Sequence, residues 1–223
     1  MDLIKVQNLQ FQYPGATQKT LDLSGFTIKS GERIFLYGPS GSGKTTLLEI
    51  LAGVLPPDAG SVEILGKDLA KMSASERDHF RASHLGYVFQ SFNLIPYLTV
   101  EENIRLPLSL SPQRASRVAD AKSDIEFLVQ RLGMAELLSR QVTALSVGQQ
   151  QRVAVARALL GKPEIILADE PTSSLDYDHR EKFISLLFEL ADQQGTTVLF
   201  VSHDRNLEKM FSRSLSFTEM NKL

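Results

Sequence analysis

The chain has no cysteine in its 223 residues, which excludes a disulfide framework and a thiolate zinc site and suits a reducing compartment. It also lacks an excess of charge: 24 Lys and Arg stand against 26 Asp and Glu. Nothing electrostatic therefore singles out nucleic acid, and no nucleic-acid partner is expected. No apolar run reaches the roughly 18 residues that suggest a membrane span, because charge, proline or glycine interrupts each one. The opening Met1-Asp2-Leu3-Ile4-Lys5 has no basic stretch leading into an apolar one, so no secretory leader is expected. Internal repeats, low-complexity tracts and flexible linkers are missing too. What remains is enough chain for one large or two small domains with a substantial core.

Alternating apolar and β-branched residues at Leu3 to Tyr13 and Leu21 to Ile28 read as an antiparallel pair of strands. Arg33 to Tyr37 reads as a strand running into a glycine-rich loop. Lys44 to Leu55 follows as a helix, with Leu47, Leu48, Leu51, Val54 and Leu55 on one face and Pro56 and Pro57 ending it. Ser61 to Leu65 and Gly86 to Phe89 read as strands, with a polar helix at Ser75 to His84 between them. From about 90 to 160 helical signals dominate, including an amphipathic helix from Val118 to Leu132 that Gly133 can close. Leu106 to Pro112 is the nearest thing to a joint. Strand signals return at Ile165 to Ala168, Thr196 to Val201 and Ser214 to Phe217. This alternation predicts a parallel α/β core with an N-terminal antiparallel β subdomain and an inserted α-helical subdomain at about 90–160. The core would comprise 1–89 and 161–223 of a single domain.

Gly38-Pro39-Ser40-Gly41-Ser42-Gly43-Lys44-Thr45-Thr46 fits the phosphate-binding loop of P-loop NTPases. Small residues let successive main-chain N–H groups approach an anion, and the helix starting near Lys44 adds its partial positive charge. Lys44 is expected to bridge the β- and γ-phosphates of ATP, Thr45 to ligate Mg²⁺, and Thr46 to touch the α-phosphate. Asp169 and Glu170 end the apolar strand Ile165 to Ala168, where an open α/β sheet places its chemistry. Their side chains must diverge, so they need different jobs. Asp169 suits the Mg²⁺ shell, and Glu170 suits activation of the attacking water.

Leu145-Ser146-Val147-Gly148-Gln149, followed by Gln150-Gln151-Arg152, resembles the signature motif of ATP-binding-cassette ATPases. Other positions fall in that family's order. Gln90 resembles its glutamine loop, which contacts Mg²⁺ and water. Ser173-Ser174-Leu175-Asp176 resembles the aspartate loop that couples two sites, His203 the switch histidine on the γ-phosphate, and Tyr13 the aromatic that stacks on adenine. The resemblance covers nearly the whole chain. It implies a head-to-tail dimer of two copies with ATP sandwiched between them, each site joining one chain's phosphate loop to Ser146, Gly148 and Gln149 of the other. Val147 departs from the family's glycine, and a β-branched residue resists positive φ. Ser146 and Gln149, however, have capping-box spacing, which predicts Ser146 as N-cap and Val147 as the first helical residue with ordinary negative φ.

Within the family, Tyr87 to Pro96 and Leu98 to Ile104 look most like the lipoprotein-release and macrolide-exporter ATPases, with a cell-division ATPase as a relative. That implies a subunit at the cytoplasmic face of the cell membrane, driving a separate permease in export or lipid extraction. The alternative is an ATP switch that signals through a membrane partner without transport. Phe92, Leu94, Ile95 and Tyr97 form either a socket for the permease or internal packing between subdomains.

Overall fold

A computed structural model describes residues 2–223 except 174 and 176, and describes 177 and 178 by their backbone alone. Two sheets organise it. The first is antiparallel, in the order β2 (Leu21–Lys29), β1 (Asp2–Phe11), β4 (Ala59–Ile64), β5 (Lys67–Asp68). The second is parallel, in the order β6 (Leu85–Val88), β7 (Ile165–Asp169), β8 (Thr197–Ser202), β3 (Arg33–Tyr37), β9 (Arg213–Ser216).

The strands of the parallel sheet are apolar at successive positions because both faces are covered. Ile34, Leu36, Ile165, Leu167, Leu199 and Val201 point into one core, shared with the antiparallel sheet and helix α1 (Lys44–Leu51). Phe35, Ile166, Ala168, Val198 and Phe200 point into the other. There they meet α3 (Val100–Leu110), α5 (Ala121–Arg131), α6 (Val147–Leu159) and α7 (Tyr177–Gln194). Between β6 and β7 every regular element is helical, including the short α4 (Pro112–Ser116). Helix α2 (Ala74–His84) leads into β6, and α8 (Phe217–Met220) follows β9.

Three departures from the sequence expectation have a local cause. Helix α1 stops at Leu51, short of Leu55, because Gly53 takes φ 69° and closes it. The Gly53 N–H donates to Ile50 O and the Val54 N–H to Glu49 O, the paired bonds of a Schellman motif, and Val54 is left 52% exposed. Helix α5 starts at Ala121, not Val118, because the Asp120 carboxylate accepts the Lys122 N–H and caps it. Within Leu106 to Pro112 the chain breaks only at Ser111, between α3 and α4: α3 runs through Pro107, forfeiting one main-chain hydrogen bond while Val100 and Ile104 stay in the core.

Candidate active site

The phosphate loop leaves β3 at Tyr37 and enters α1 at Lys44. Gly43, at φ 105°, is the residue that allows this: a Cβ there would lie 3.1 Å from both Thr20 O and a Leu21 methyl. Because a glycine stands at the N-cap, no side chain occupies the first amides of α1, which leaves them for an anion. Lys44 is buried and donates to Gly38 O at 2.8 Å and Pro39 O at 2.6 Å. Burial pulls its ammonium below the ordinary value, opposed by the charges of Glu170 and Asp169. Pro39, Ser40, Gly41 and Thr45 are exposed along the loop, while the Ser42 hydroxyl is buried. Tyr13 lies beyond β1 with its ring edge-on to Phe11, and its hydroxyl is 3.1 Å from Thr46 Oγ1. That bond fixes the aromatic ring beside α1.

Register brings the other residues together. Val88 pairs with Ala168, Asp169 with Val201, and Tyr37 with Ser202. Gln90 therefore follows β6, Glu170 β7, His203 β8 and Gly38 β3, each within two residues of the C-terminal end of its strand. Asp169 is 6% exposed, and the Thr45 side chain is near enough to favour its ionised form, so the two residues expected at Mg²⁺ are neighbours. Burial raises the Asp169 carboxyl above its usual range, against the nearby Thr45 side chain, and the Glu170 charge adds to the rise. Glu170 turns the other way. Its carboxylate meets His203 Nδ1 at 2.9 Å, and its own N–H donates to Val201 O. Glu170 holds φ 43°, a conformation that costs a non-glycine residue about 1–3 kcal/mol and persists where surrounding contacts over-determine it.

Ser146 caps α6 as the capping-box spacing predicts. Its hydroxyl accepts the Gln149 N–H, and the Gln149 side chain accepts the Ser146 N–H at 3.0 Å. Val147 is the first helical residue and is absent from the residues of positive φ. It is 51% exposed, beside Gly148. The departure from glycine therefore fits the local backbone without strain.

Comparison with known proteins follows the same lines. The family model described as ABC transporter matches residues 21–173. The chain belongs to the ATP-binding-cassette ATPases. It is 40% identical to the ABC transporter ATP-binding protein YbbA of Escherichia coli, over 96% of this chain and 93% of that one. It is 39% identical to the lipoprotein-releasing system ATP-binding protein LolD of Psychrobacter arcticus, over 96% and 94%. Among solved structures, the cassette MJ0796 in a dimeric post-hydrolysis state bound to ADP and Pi superposes with a TM-score of 0.84 at 34% identity, covering 96% of this chain and 93% of that one. The protein is an ATPase, and ATP with Mg²⁺ is the cofactor pair of its family. The donor set fits that metal: Asp169 and Thr45 offer hard oxygens, and magnesium binds through one or two carboxylates together with nucleotide phosphate.

One of the two sequence alternatives for the loop after Gln90 gives way. Phe92 is no part of an exposed socket: it is 6% exposed, takes φ 61° and packs in the helical core, with Leu94 against the same core. Tyr97 alone of the four is fully open, at 75%. The apolar opening lies nearby, a groove of about 530 Å³ whose walls include Tyr87, Phe89, Leu106, Pro107 and Leu110. Asp176 falls outside the described residues. Sequence reasoning also missed Gln151, Arg157 and Arg114, polar groups of α6 and its surroundings whose partners lie far away in the chain. Arg114 is 2% exposed and bonds Leu85 O, Ala158 O and Leu160 O, capping the C-terminal end of α6. Burial lowers its guanidinium to about 10. No sequence spacing signals such contacts.

Proposed function

We propose that this ATPase works as two copies joined head to tail across two ATP molecules, and that the dimer drives a separate integral-membrane permease from the cytoplasmic face of the membrane. The observation that carries the reading is the intact start of α6 at Val147, with the Ser146 hydroxyl and the first free amides at an exposed helix N-terminus. An anionic γ-phosphate between that terminus and the phosphate loop is stabilised from both sides. Each site then assigns Gly38 to Thr46 to the phosphates, Lys44 to the β- and γ-oxygens, and Thr45, Asp169 and Gln90 to the Mg²⁺ shell. Tyr13 serves the adenine, and Ser146, Gly148 and Gln149 the other copy's nucleotide; Asp176 belongs to the loop that couples the two sites. Glu170 orients and deprotonates the attacking water, while His203 holds the carboxylate's pose and reaches the γ-phosphate. Hydrolysis removes the anion that bridges the copies, so the dimer can open.

The permease contact belongs at the groove beside Phe89 and Leu110, whose lining combines apolar Leu106 and Pro107 with charged Asp78 and Arg81. An amphipathic helix from the permease matches it. Similarity to a lipoprotein-releasing ATPase supports export or lipid extraction as the work done. A photo-crosslinker placed at position 110, 69% exposed at the groove wall, tests the reading in native membranes. It should trap an integral-membrane protein, and the same probe at Phe127, exposed on α5, should not. Equal trapping at both positions, or none at position 110, defeats the docking assignment.

A further inference from the structure

Helix α6 touches more than its signature end. Gln151, 1% exposed, donates from Nε2 to Pro171 O at 2.6 Å, immediately after Glu170. Six residues on, Arg157 donates to Phe92 O at 2.6 Å and Asn93 O at 2.7 Å, in the loop that follows Gln90. Both loops are strained. Glu170, Phe92 and Asn93 hold φ of 43°, 61° and 45°, three of the six non-glycine residues with positive φ among those described. Such conformations need outside anchors, and in both loops α6 supplies one. A carbonyl bonded to an otherwise buried amide or guanidinium is costly to release, so each loop must move with the helix or lose a bond. The far end of α6 is fixed in turn by Arg114 on Ala158 O and Leu160 O.

We infer that α6 is a relay between the two nucleotide sites: contact of Ser146 with the other copy's ATP sets the pose of this chain's own Glu170 through Gln151, and of its own Gln90 through Arg157. Gln151 and Arg157 are positioning residues and touch no reacting atom. The relay rests on the sandwich dimer proposed above, and it works as mechanical coupling. A helix held at its signature end and bonded to both catalytic loops transmits a shift of its N-terminus to each. Methionine replaces either side chain at similar length without a donor, so Gln151→Met and Arg157→Met cut one arm each.

The test uses the full chain, first for ATP turnover and then, in a Glu170→Gln background that retains ATP, for amide exchange. Each methionine variant should lose about 10-fold or more in kcat, with KM for ATP within about 2-fold, the pattern of an interaction that matters in the transition state. Arg157→Lys, which keeps a donor but loses the fork, should recover part of the loss. ATP should slow exchange at the amides of 91–94 and 172–173 in the Glu170→Gln chain. Gln151→Met should abolish that protection at 172–173 alone, and Arg157→Met at 91–94 alone. Unchanged kcat with a normal ATP-dependent dimer overturns the relay and leaves the sandwich standing. Loss at both loops from either change, with a lowered melting temperature, reduces the two residues to packing and also overturns it. If the Glu170→Gln chain forms no dimer with ATP, the sandwich itself falls and takes the relay with it.

Discussion

Replacing Ser146 with aspartate separates its two roles, because Asp and Ser are comparable N-caps while only one of them repels phosphate. As a cap, aspartate should hold helix stability within a few tenths of a kcal/mol. The native cap is long, with Gln149 N 3.4 Å from Ser146 Oγ, so even Ser146→Ala should cost only about 0.5 kcal/mol, at the low end of measured caps. That is about 1–2 °C in a domain of this size. Against a γ-phosphate about 4 Å away, the added carboxylate costs about 1 kcal/mol with the dielectric of water and about 4 kcal/mol at an effective dielectric near 20. The corresponding loss is about 5-fold to 1000-fold per site, and a dimer of identical chains carries two such sites. Light scattering with ATP in the Glu170→Gln background should show a dimer for Ser146 and a monomer for aspartate at the same concentration. Thermal melts without nucleotide should coincide. A Ser146→Asp chain that dimerises as readily as its parent refutes the phosphate contact, and one that melts more than about 4 °C lower refutes the cap.

Val147→Pro should fold with stability within about 1 kcal/mol of the parent, since proline suits the first helical position and its missing N–H is unused there; a chain that unfolds in the circular-dichroism melt would mean that Val147 is not at that position. Asp169→Asn should abolish ATP turnover yet raise the midpoint of urea unfolding at pH 7. The buried Asp169 carboxyl titrates above its ordinary value, so the wild-type fold gains stability as pH falls through that raised value toward the unfolded one, and the variant does not. The advantage of asparagine must therefore shrink on acidification, and one that grows contradicts the burial. Gly86→Ala places a Cβ 2.4 Å from Ala158 O, forcing β6 off α6, and should lower stability by about 1–3 kcal/mol in chemical denaturation. An unchanged midpoint would deny that close approach.

Much of the site was legible in the chain because its signals are local. The phosphate loop, the capping box and the carboxylates ending an apolar strand each rest on residues a few positions apart, and β3 and β7 lie within a residue of their expected ends. Helix α1 shows the limit: Pro56 is the conspicuous stop, yet Gly53 ends the helix earlier because two hydrogen bonds favour its left-handed turn. Phe92 fits either a permease socket or internal packing by its sequence, and the structure makes it core, turned inward by a positive φ that its own sequence neighbours do not announce.

By itself, the sequence determined the chemistry of the loops and the family to which they belong, since spacing within a turn or a helix start dictates which backbone groups are left free. Only the tertiary structure decided what those loops are fastened to. The sheet order β6-β7-β8-β3-β9 does not follow the chain, so Glu170 meets His203, and α6 reaches Pro171 and Phe92, across 20 to 65 residues. Such contacts depend on how nonpolar faces stack into two cores, a long-range outcome that no local pattern of residues encodes.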